Sequence, residues 1–85
     1  MALVLMGTEA CHLCDEAQAL LLQFQGALIE DVFIEDIAES EAQVERYGVR
    51  IPVLVHEKSG SELDWPFDLL QLEQWLIQHQ CLRTL

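Results

Sequence analysis

A pair of cysteines, Cys11 and Cys14, lies between a short apolar segment and a helical pattern, and this placement constrains the fold more than any other feature. Residues 2–6 are continuously apolar, as in a buried strand, and from Leu13 onward apolar residues recur at helical spacing. A cysteine at the junction of a strand and a helix lies at the positive end of the helix dipole, where backbone N–H groups stabilise a thiolate. Because the thiolate is the form of cysteine that attacks disulfides, this position predicts a dithiol redox site.

The length and composition of the chain limit its organisation. The chain has 85 residues, 52% of them hydrophobic, which predicts one domain over residues 1–85 with a modest core. No apolar run approaches the ~20 residues of a membrane span. The apolar N-terminal segment has no basic residue before it, so we expect an interior strand rather than a signal peptide. The expected compartment is the cytoplasm, where a cysteine pair favours catalysis or metal binding over a structural disulfide.

Acidic residues dominate the charge. Four Lys and Arg residues stand against 15 Asp and Glu residues, which gives a formal net charge of −11, and Arg46 is the first basic residue of the sequence. Such a surface repels nucleic acid and anionic lipid, so we expect neither nucleic acid nor a membrane as a partner. We interpret the charge mainly as a solvated surface that serves solubility. The chain is expected to be a monomer.

The first half of the chain predicts a strand, a helix, a second strand and a second helix. The first helix ends near Gly26, which suits a C-terminal stop. A β-rich segment follows at residues 29–37, and the Ser-x-x-Gln pattern at residues 40–43 resembles a capping box that begins a short helix ending near Gly48. The apolar residues at helical spacing in the first helix are Leu13, Ala17, Leu20, Leu21 and Phe24.

The second half predicts two strands and a final helix. The strands are residues 51–55 and 62–65, and a polar turn joins them. The last helix has a good N-cap at Asp68, and Gln71 completes a capping box. Phe67 is expected to contact Leu72 across the start of this helix, and its predicted buried side comprises Leu69, Leu72, Trp75 and Leu76.

The predicted order of elements is β-α-β-α-β-β-α. The first β-α-β unit must be right-handed with parallel strands, and the short turn makes the last two strands an antiparallel hairpin. We therefore predict an α/β protein with a mixed four-stranded sheet and helices on both faces. This topology is that of the minimal thioredoxin fold.

The two cysteines have different expected roles. If Cys11 is the N-cap residue, its sulfur can accept hydrogen bonds from the N–H groups of Leu13 and Cys14. Cys11 is then the exposed attacking thiol, and Cys14 is the partly covered thiol that resolves the mixed disulfide. A protonated His12 would stabilise the thiolate, but an exposed His12 of little consequence is an equally good interpretation. The thiolate is disfavoured by three neighbouring carboxylates, Glu9, Asp15 and Glu16.

Three segments resemble the glutaredoxin-like branch of the thioredoxin superfamily. They are Cys-His-Leu-Cys-Asp-Glu-Ala at residues 11–17, Tyr-Gly-Val-Arg-Ile-Pro-Val at residues 47–53 and Trp-Pro-Phe-Asp at residues 65–68. The resemblance covers nearly the whole chain and is closest to a group of small bacterial glutaredoxin-like proteins. It implies thiol–disulfide exchange through Cys11 and Cys14, with protein or low-molecular-weight disulfides and thiols as substrates and no required cofactor.

Pro52 is the second part of this resemblance. A proline at the start of a strand is tolerated in any fold, which is the simpler interpretation. In thioredoxin-like proteins the corresponding X-Pro bond is cis and faces the cysteine pair, and a cis X-Pro bond costs only ~0.5–1 kcal/mol. We therefore predict a cis bond after Ile51. Ile51 and Pro52 would then line a substrate groove, with the backbone groups of Ile51 free to pair with an extended substrate.

The sequence departs from true glutaredoxins where that family holds glutathione. It has no lysine shortly before the first cysteine, where residues 7–10 read Gly-Thr-Glu-Ala. It also lacks a Gly-Gly-x-Asp segment near the last helix, where residues 63–68 read Leu-Asp-Trp-Pro-Phe-Asp. Arg50 is a candidate counter-charge for the glutathione carboxylates, and Asp68 for its amino group. Glutathione is thus a candidate co-substrate without the family's usual contacts.

The remaining residues of chemical interest have simpler interpretations. Trp65 is expected at the groove as an apolar wall, whereas Phe67 is expected in the core. Cys81 is expected to be a passive helix-end residue, although an exposed thiol there could join two chains on oxidation. His56 and His79 are read as ordinary strand-end and helix-end residues. No residue is assigned as a metal ligand.

Two other functions compete with a dithiol oxidoreductase. In the first, two chains each supply Cys11 and Cys14 to a metal ion or iron–sulfur cluster, and His12 can replace one thiolate. In the second, the chain is a thioredoxin-like interaction domain whose cysteines have no redox use. The complete cysteine pair at a strand–helix junction, together with Pro52, favours the oxidoreductase.

Overall fold

The computed structural model describes residues 2–83. Its helices and strands follow the predicted order, and a short 3₁₀ turn at Ile37–Glu39 precedes the second helix. The elements are β1 (Ala2–Gly7), α1 (His12–Leu22), β2 (Asp31–Asp36), α2 (Glu41–Tyr47), β3 (Val53–His56), β4 (Ser61–Asp64) and α3 (Leu69–Gln78).

The four strands form one mixed sheet in the order β2-β1-β3-β4. β1 pairs in parallel with β2, with Ala2 opposite Asp31 and Gly7 opposite Asp36. It pairs antiparallel with β3, which in turn pairs antiparallel with β4. This arrangement confirms the predicted mixed four-stranded sheet and the minimal thioredoxin topology.

The core lies on both faces of the sheet, because strands β1 and β3 are buried in the middle of it. Side chains of α1 and α3 cover one face, and α2 covers the other. The first cluster comprises Leu3, Leu5, Ala17, Leu21, Leu54, Phe67, Leu72, Trp75, Leu76 and Cys81. The second, smaller cluster comprises Val4, Met6, Ile37, Tyr47 and Val53.

The helix ends follow their capping residues. The capping box of α3 is complete: Asp68 accepts from the Gln71 N–H, and the Gln71 side chain accepts from the Asp68 N–H. At α2 only half of the predicted box forms. Ser40 accepts from the Gln43 N–H, but the Gln43 side chain donates to Glu35 instead of returning to the cap.

The end of α3 is a Schellman motif with a non-glycine residue. The Cys81 N–H donates to the Leu76 carbonyl at 2.8 Å, and the Gln80 N–H donates to the Ile77 carbonyl at 3.0 Å. Gln80 lies in the left-handed region, with φ 57°. The following residues continue alongside the loop before β2, where Leu28 and Leu82 form an antiparallel bridge.

Some boundaries and burials differ from the sequence predictions. Helix α1 ends at Leu22, before Gly26, and the segment that follows it forms turns. β2 begins at Asp31 and ends at Asp36, inside the predicted residues 29–37. Leu13 and Leu69, both expected on buried faces, are exposed. Each belongs to the first turn of its helix; at α3, buried Phe67 fills that end of the core.

The edge strand β2 is the most exposed element of the sheet. Its apolar side chains Val32, Phe33 and Ile34 are all exposed, because neither face of this edge is fully covered by a helix. Within residues 2–83, none of the helices has both the length and the apolar character needed to cross a membrane.

Candidate functional site

Cys11 and Cys14 lie where β1 passes into α1, and they are joined by a disulfide with a Cα–Cα distance of 5.2 Å. Cys11 is the N-cap residue of α1, and its sulfur accepts from the Cys14 N–H at 3.1 Å. The second donor expected from the sequence, the Leu13 N–H, makes no such bond. Cys11 is partly exposed, whereas Cys14 is buried. An incoming nucleophile therefore reaches the sulfur of Cys11 more readily than that of Cys14.

Two residues that shape this turn were missed at the sequence level. A Cβ added to Gly7 would lie 2.9 Å from the Cys14 sulfur, so the absence of a side chain at Gly7 makes room for the buried cysteine. Ala10, directly before the N-cap, has a φ of 58°, a conformation that non-glycine residues rarely adopt. A glycine at the end of the strand that leads to the cysteine pair was the available signal for the first; no sequence pattern indicates the second.

Pro52 lies beside the cysteine turn. Met6 pairs with Val53 in the sheet, and this register places Pro52 next to Gly7, against which the Cys14 sulfur packs. Pro52 is fully buried, and the Ile51–Pro52 peptide bond is cis. The Ile51 N–H was expected to be free, but it donates to the Tyr47 carbonyl at 3.0 Å. The Ile51 carbonyl has no hydrogen-bond partner among residues 2–83.

An ion-pair network, here called the clamp, holds the loop that leads to Pro52. Its carboxylate Glu62 on β4 accepts from Arg46, Tyr47 and Arg50, the last at 2.6 Å. Arg50 also makes two hydrogen bonds to Asp64. The hydrogen bond from Arg50, followed by those from Arg46 and Tyr47, lowers the pKa of Glu62 to about 2. Burial raises the pKa of Tyr47, and its hydrogen bond to Glu62 adds to this shift.

The clamp bears on the candidate glutathione contacts. Arg50 already serves two carboxylates, and its hydrogen bonds to Asp64 and Glu62 raise its pKa further above the usual range. The Asp68 carboxylate is engaged as the N-cap of α3. Arg50 is therefore not free to meet glutathione without leaving a partner in the fold, whereas exposed Asp68 caps α3 through Oδ1, and its Oδ2 atom has no partner among residues 2–83.

His12 and Trp65 lie at the edges of the site. The His12 side chain is 90% exposed, and the partner that the structure gives it is Glu16, at 3.9 Å. The backbone N–H of Trp65 donates to the Pro52 carbonyl at 3.2 Å, which places this tryptophan beside the proline. Its ring is partly buried and stacks edge-on against Phe67, with ring centroids 5.0 Å apart.

A cavity of about 210 Å³ opens beside the buried sulfur of Cys14, between α1 and the end of β2. Its lining includes Gly7, Gln18 and four carboxylates, those of Glu9, Asp15, Glu35 and Asp36. With these carboxylates in its lining, a space of this size can hold water, which can carry a proton between the Cys14 thiol and a carboxylate. An apolar groove of about 250 Å³ continues from Gln18 and Ile34 along the same helix and strand.

A second chemically distinctive cluster lies at the other end of the sheet. His56 pairs with Leu3 at the start of β1, far along the strand from Gly7. It is buried with Cys81, and both contact Glu30. Burial, followed by the hydrogen bond to Glu30, raises the pKa of Cys81 to about 12. Cys81 is therefore not the exposed thiol that could join two chains, and His56 is not an ordinary strand-end residue.

The fold and the cysteine pair define a thioredoxin-fold protein with a redox-type Cys-x-x-C site. The family model described as "Glutaredoxin-like domain (DUF836)" matches residues 2–77. The chain belongs to this glutaredoxin-like family of the thioredoxin superfamily. A search of curated proteins finds no match.

Solved structures agree with the family assignment. The X-ray structure of Northeast Structural Genomics target protein XcR50 from X. campestris is 40% identical, with a TM-score of 0.80, and the match covers 91% of this chain and 97% of that one. The solution structure of the same target gives 42% identity and a TM-score of 0.72, covering 92% and 95% of the two chains. Protein Ne2328 from Nitrosomonas europaea is 29% identical, with a TM-score of 0.73, covering 87% and 88%.

Proposed function

We propose that this protein is a thiol–disulfide oxidoreductase that cycles Cys11 and Cys14 between dithiol and disulfide. One observation carries the proposal: Cys11 caps α1 and is partly exposed, while its disulfide partner Cys14 is buried behind it. The N-cap position supplies the Cys14 N–H and the helix dipole to a Cys11 thiolate, and both favour the charged sulfur. Carboxylates around the turn act in the opposite direction.

The reductive half of the cycle takes two steps. The Cys11 thiolate attacks one sulfur of a substrate disulfide; a Cys11–substrate bond forms, and the other substrate sulfur leaves as a thiolate that takes up a proton. Cys14 then loses its proton and attacks the Cys11 sulfur of the mixed disulfide. This step forms the Cys11–Cys14 bond and releases the second substrate sulfur as a thiol. The substrate gains two electrons, and two external thiol groups, which end as a disulfide, reduce the cysteine pair again.

The cavity beside Cys14 supports its role as the resolving thiol. Cys14 is buried, so its proton needs a route to solvent before the thiolate can attack. Water in the cavity, with the carboxylates of Glu9 and Asp15 at its wall, supplies that route. Protein or low-molecular-weight disulfides are the proposed substrates, and their reacting sulfur approaches Cys11 between Ile51 and Trp65.

We further propose that glutathione, where it acts as a co-substrate, reacts through its thiol without a dedicated site. Arg50, the candidate counter-charge for the glutathione carboxylates, is engaged within the fold, which supports this proposal. Reduction of the Cys11–Cys14 disulfide by glutathione is compared with reduction by a neutral monothiol, at equal thiolate concentration. Equal rates are expected at an ionic strength of about 1 M, where the repulsion between anionic glutathione and the acidic protein is screened. A glutathione rate about tenfold higher would require specific contacts and would contradict this part of the proposal.

The test of the main proposal combines a redox titration with trapping. Equilibration against mixtures of reduced and oxidised glutathione is expected to show a reversible two-electron couple in the wild type. Cys14→Ser is expected to accumulate a mixed disulfide with substrate, because nothing resolves it, and Cys11→Ser is expected to trap none. Cys81→Ala is the matched control: it also removes one cysteine, but one outside the site, and it should keep the two-electron couple.

Two results would contradict the proposal. The absence of a reversible couple in folded wild-type protein would support a redox-silent interaction domain instead. Stoichiometric iron or zinc that is lost on replacing Cys11 and Cys14 would support a metal or iron–sulfur site shared between two chains.

A further inference from the structure

Glu30, His56 and Cys81 meet in the interior although they come from three separate parts of the chain. Glu30 directly precedes β2, His56 is the last residue of β3, and Cys81 follows α3. The Glu30 Oε2 atom lies 3.0 Å from His56 Nε2 and 3.1 Å from Cys81 Sγ. His56 is 5% exposed and Cys81 is fully buried. The side chain of Glu30 is 13% exposed, so it forms the solvent-facing side of the cluster.

The three groups form a ligand set that suits a borderline divalent cation. A thiolate, an imidazole nitrogen and a carboxylate oxygen are the atoms that bind zinc in proteins. The three ligand atoms lie within 4.8 Å of one another. Zinc–ligand bonds of about 2.0–2.3 Å in tetrahedral geometry place ligand atoms roughly 3.3–3.7 Å apart. The observed contacts to Glu30 therefore need to lengthen by only a few tenths of an ångström.

The surroundings orient the imidazole as a ligand. His56 Nδ1 lies 2.7 Å from Ser59 Oγ, so a proton on Nδ1 has an acceptor while Nε2 faces Glu30 and Cys81. Metal-binding histidines use this kind of second contact to fix the ring and its tautomer. Charge also balances, because a divalent cation with one thiolate, one carboxylate and a neutral imidazole has no net charge.

We propose that Glu30, His56 and Cys81 form a zinc site that is independent of the Cys11–Cys14 pair. On binding, the Cys81 thiol releases its proton to solvent, and His56 binds the metal through Nε2 as the neutral imidazole whose single proton lies on Nδ1, toward Ser59. Three protein ligands leave the fourth position for water. The ion links the loop before β2, the β3–β4 hairpin and the segment after α3. Binding of the ion should therefore stabilise the packing of these three segments against one another.

Cobalt titration of a Cys11→Ser/Cys14→Ser protein tests this site, because Cys81 is then the one remaining thiol. Co²⁺ is expected to give a sulfur-to-metal charge-transfer band and visible d–d bands of a tetrahedral site, which Zn²⁺ abolishes by displacement. At a free Zn²⁺ concentration about 100 times the dissociation constant, the thermal unfolding midpoint should rise by roughly 15 °C. A folded protein without a charge-transfer band and without a thermal shift would overturn the proposal; the cluster would then be a hydrogen-bond network only.

Three further variants in the same background locate the ion. Cys81→Ala should abolish the charge-transfer band, and near-ultraviolet circular dichroism without metal establishes that it is folded. Ser59→Ala keeps all three ligands, and because Ser59 is exposed, the substitution does not disturb the core. It should weaken metal binding roughly tenfold through loss of the contact to His56 Nδ1. His12→Ala is the matched control on an exposed histidine and should bind as tightly as its parent. Unchanged binding in Ser59→Ala, or tenfold weaker binding in His12→Ala, would contradict the assignment.

Discussion

Gly7 is the residue on which the geometry of the cysteine turn most depends. An added Cβ would lie 2.9 Å from the Cys14 sulfur and 3.3 Å from its Cβ, closer than side chains pack. Gly7→Ala is expected to push Cys14 out of place, lowering the free energy of unfolding by about 1–3 kcal/mol. Because Cys14 is the proposed resolving thiol, release of the mixed disulfide should slow as well. Urea unfolding and stopped-flow kinetics measure the two effects.

A double-mutant cycle separates this contact from a general effect of alanine in β1. In a Cys14→Ala background the sulfur is absent, so Gly7→Ala should cost less there than in the wild type. The Gly7–Cys14 contact causes the destabilisation only if the effects of the two substitutions on the free energy of unfolding are not additive. Equal costs in both backgrounds would show that the strand itself, and not the cysteine, resists the substitution.

At the residue scale, short sequence patterns predict the helix caps but not the close contacts around the cysteine turn. Asp68 and Gln71 form the predicted capping box because both partners lie within one helical turn. The clearance at Gly7 depends on a cysteine that reaches it through the fold, and the positive φ of Ala10 has no residue-type signal at all. The cysteine pair was therefore identifiable from sequence, whereas the two neighbours that shape its turn were not.

The end of α3 offers a stabilising substitution. Gln80 occupies the left-handed position of a Schellman motif, where glycine avoids the steric conflict of a Cβ. Gln80→Gly should raise the free energy of unfolding by about 0.5–1 kcal/mol, because the relief outweighs the greater flexibility of glycine in the unfolded chain. Chemical denaturation measures this change in the free energy of unfolding. Gln74→Gly, at an exposed position in the interior of the same helix, is the control and should destabilise by a similar amount.

Between elements, the clamp joins the end of α2 to β4 and holds the loop that carries Ile51 to the cysteine turn. Its central carboxylate, Glu62, has a pKa of about 2, below the ordinary value of 4.5. A carboxylate whose pKa is lowered by folding stabilises the fold above its ordinary pKa and loses that contribution as the pH falls toward 2. Glu62→Gln should therefore destabilise at neutral pH, by about 1 kcal/mol given the exposure of its partners.

The pH dependence distinguishes this interaction from packing. The difference in unfolding free energy between wild type and Glu62→Gln should shrink as the pH is lowered from 7 to 3, as measured by urea unfolding at each pH. Glu73→Gln, on the exposed side of α3, is the matched control and should follow the wild type throughout. A wild-type advantage that does not change with pH would mean that the charge of Glu62 contributes nothing.

At the element scale, order and topology were predictable, and burial at the edges was not. The alternation of apolar segments and capping residues gave the right number and kind of elements, because these signals act over a few residues. The exposure of Leu13, Leu69 and β2 depends on which neighbours cover each face in the folded chain. The Glu30–His56–Cys81 cluster was likewise hidden, because its members are distant in sequence and no local pattern joins them.

For the whole molecule, a net charge of −11 should select among substrates by their charge. A basic peptide disulfide should react with the reduced protein about tenfold faster than an acidic peptide of the same length at low ionic strength. Raising the salt to about 1 M shortens the screening length to about 3 Å and should bring the two rates together. Stopped-flow reduction of the two peptides over a salt series measures this effect.

Two glutamate variants refine the origin of that selectivity. Glu9→Gln removes a charge from the wall of the cavity beside Cys14, and Glu57→Gln removes one next to His56, at the opposite end of the sheet. The first should reduce the preference for the basic peptide more than the second. A preference that is insensitive to salt, or equal in both variants and the wild type, would point to shape rather than charge as the basis of selection.

Because Cys81 is completely buried, its rate of alkylation reports how often the end of the chain opens to solvent. With Cys11 and Cys14 replaced by serine, an alkylating reagent can reach Cys81 only when the segment after α3 separates from the loop before β2. Native-state alkylation should be at least roughly 100-fold slower than in urea, and its rate divided by the unfolded rate gives the opening equilibrium. If the rate rises with urea as steeply as global unfolding does, the end of the chain opens only with the whole fold; a shallower dependence means that it opens alone.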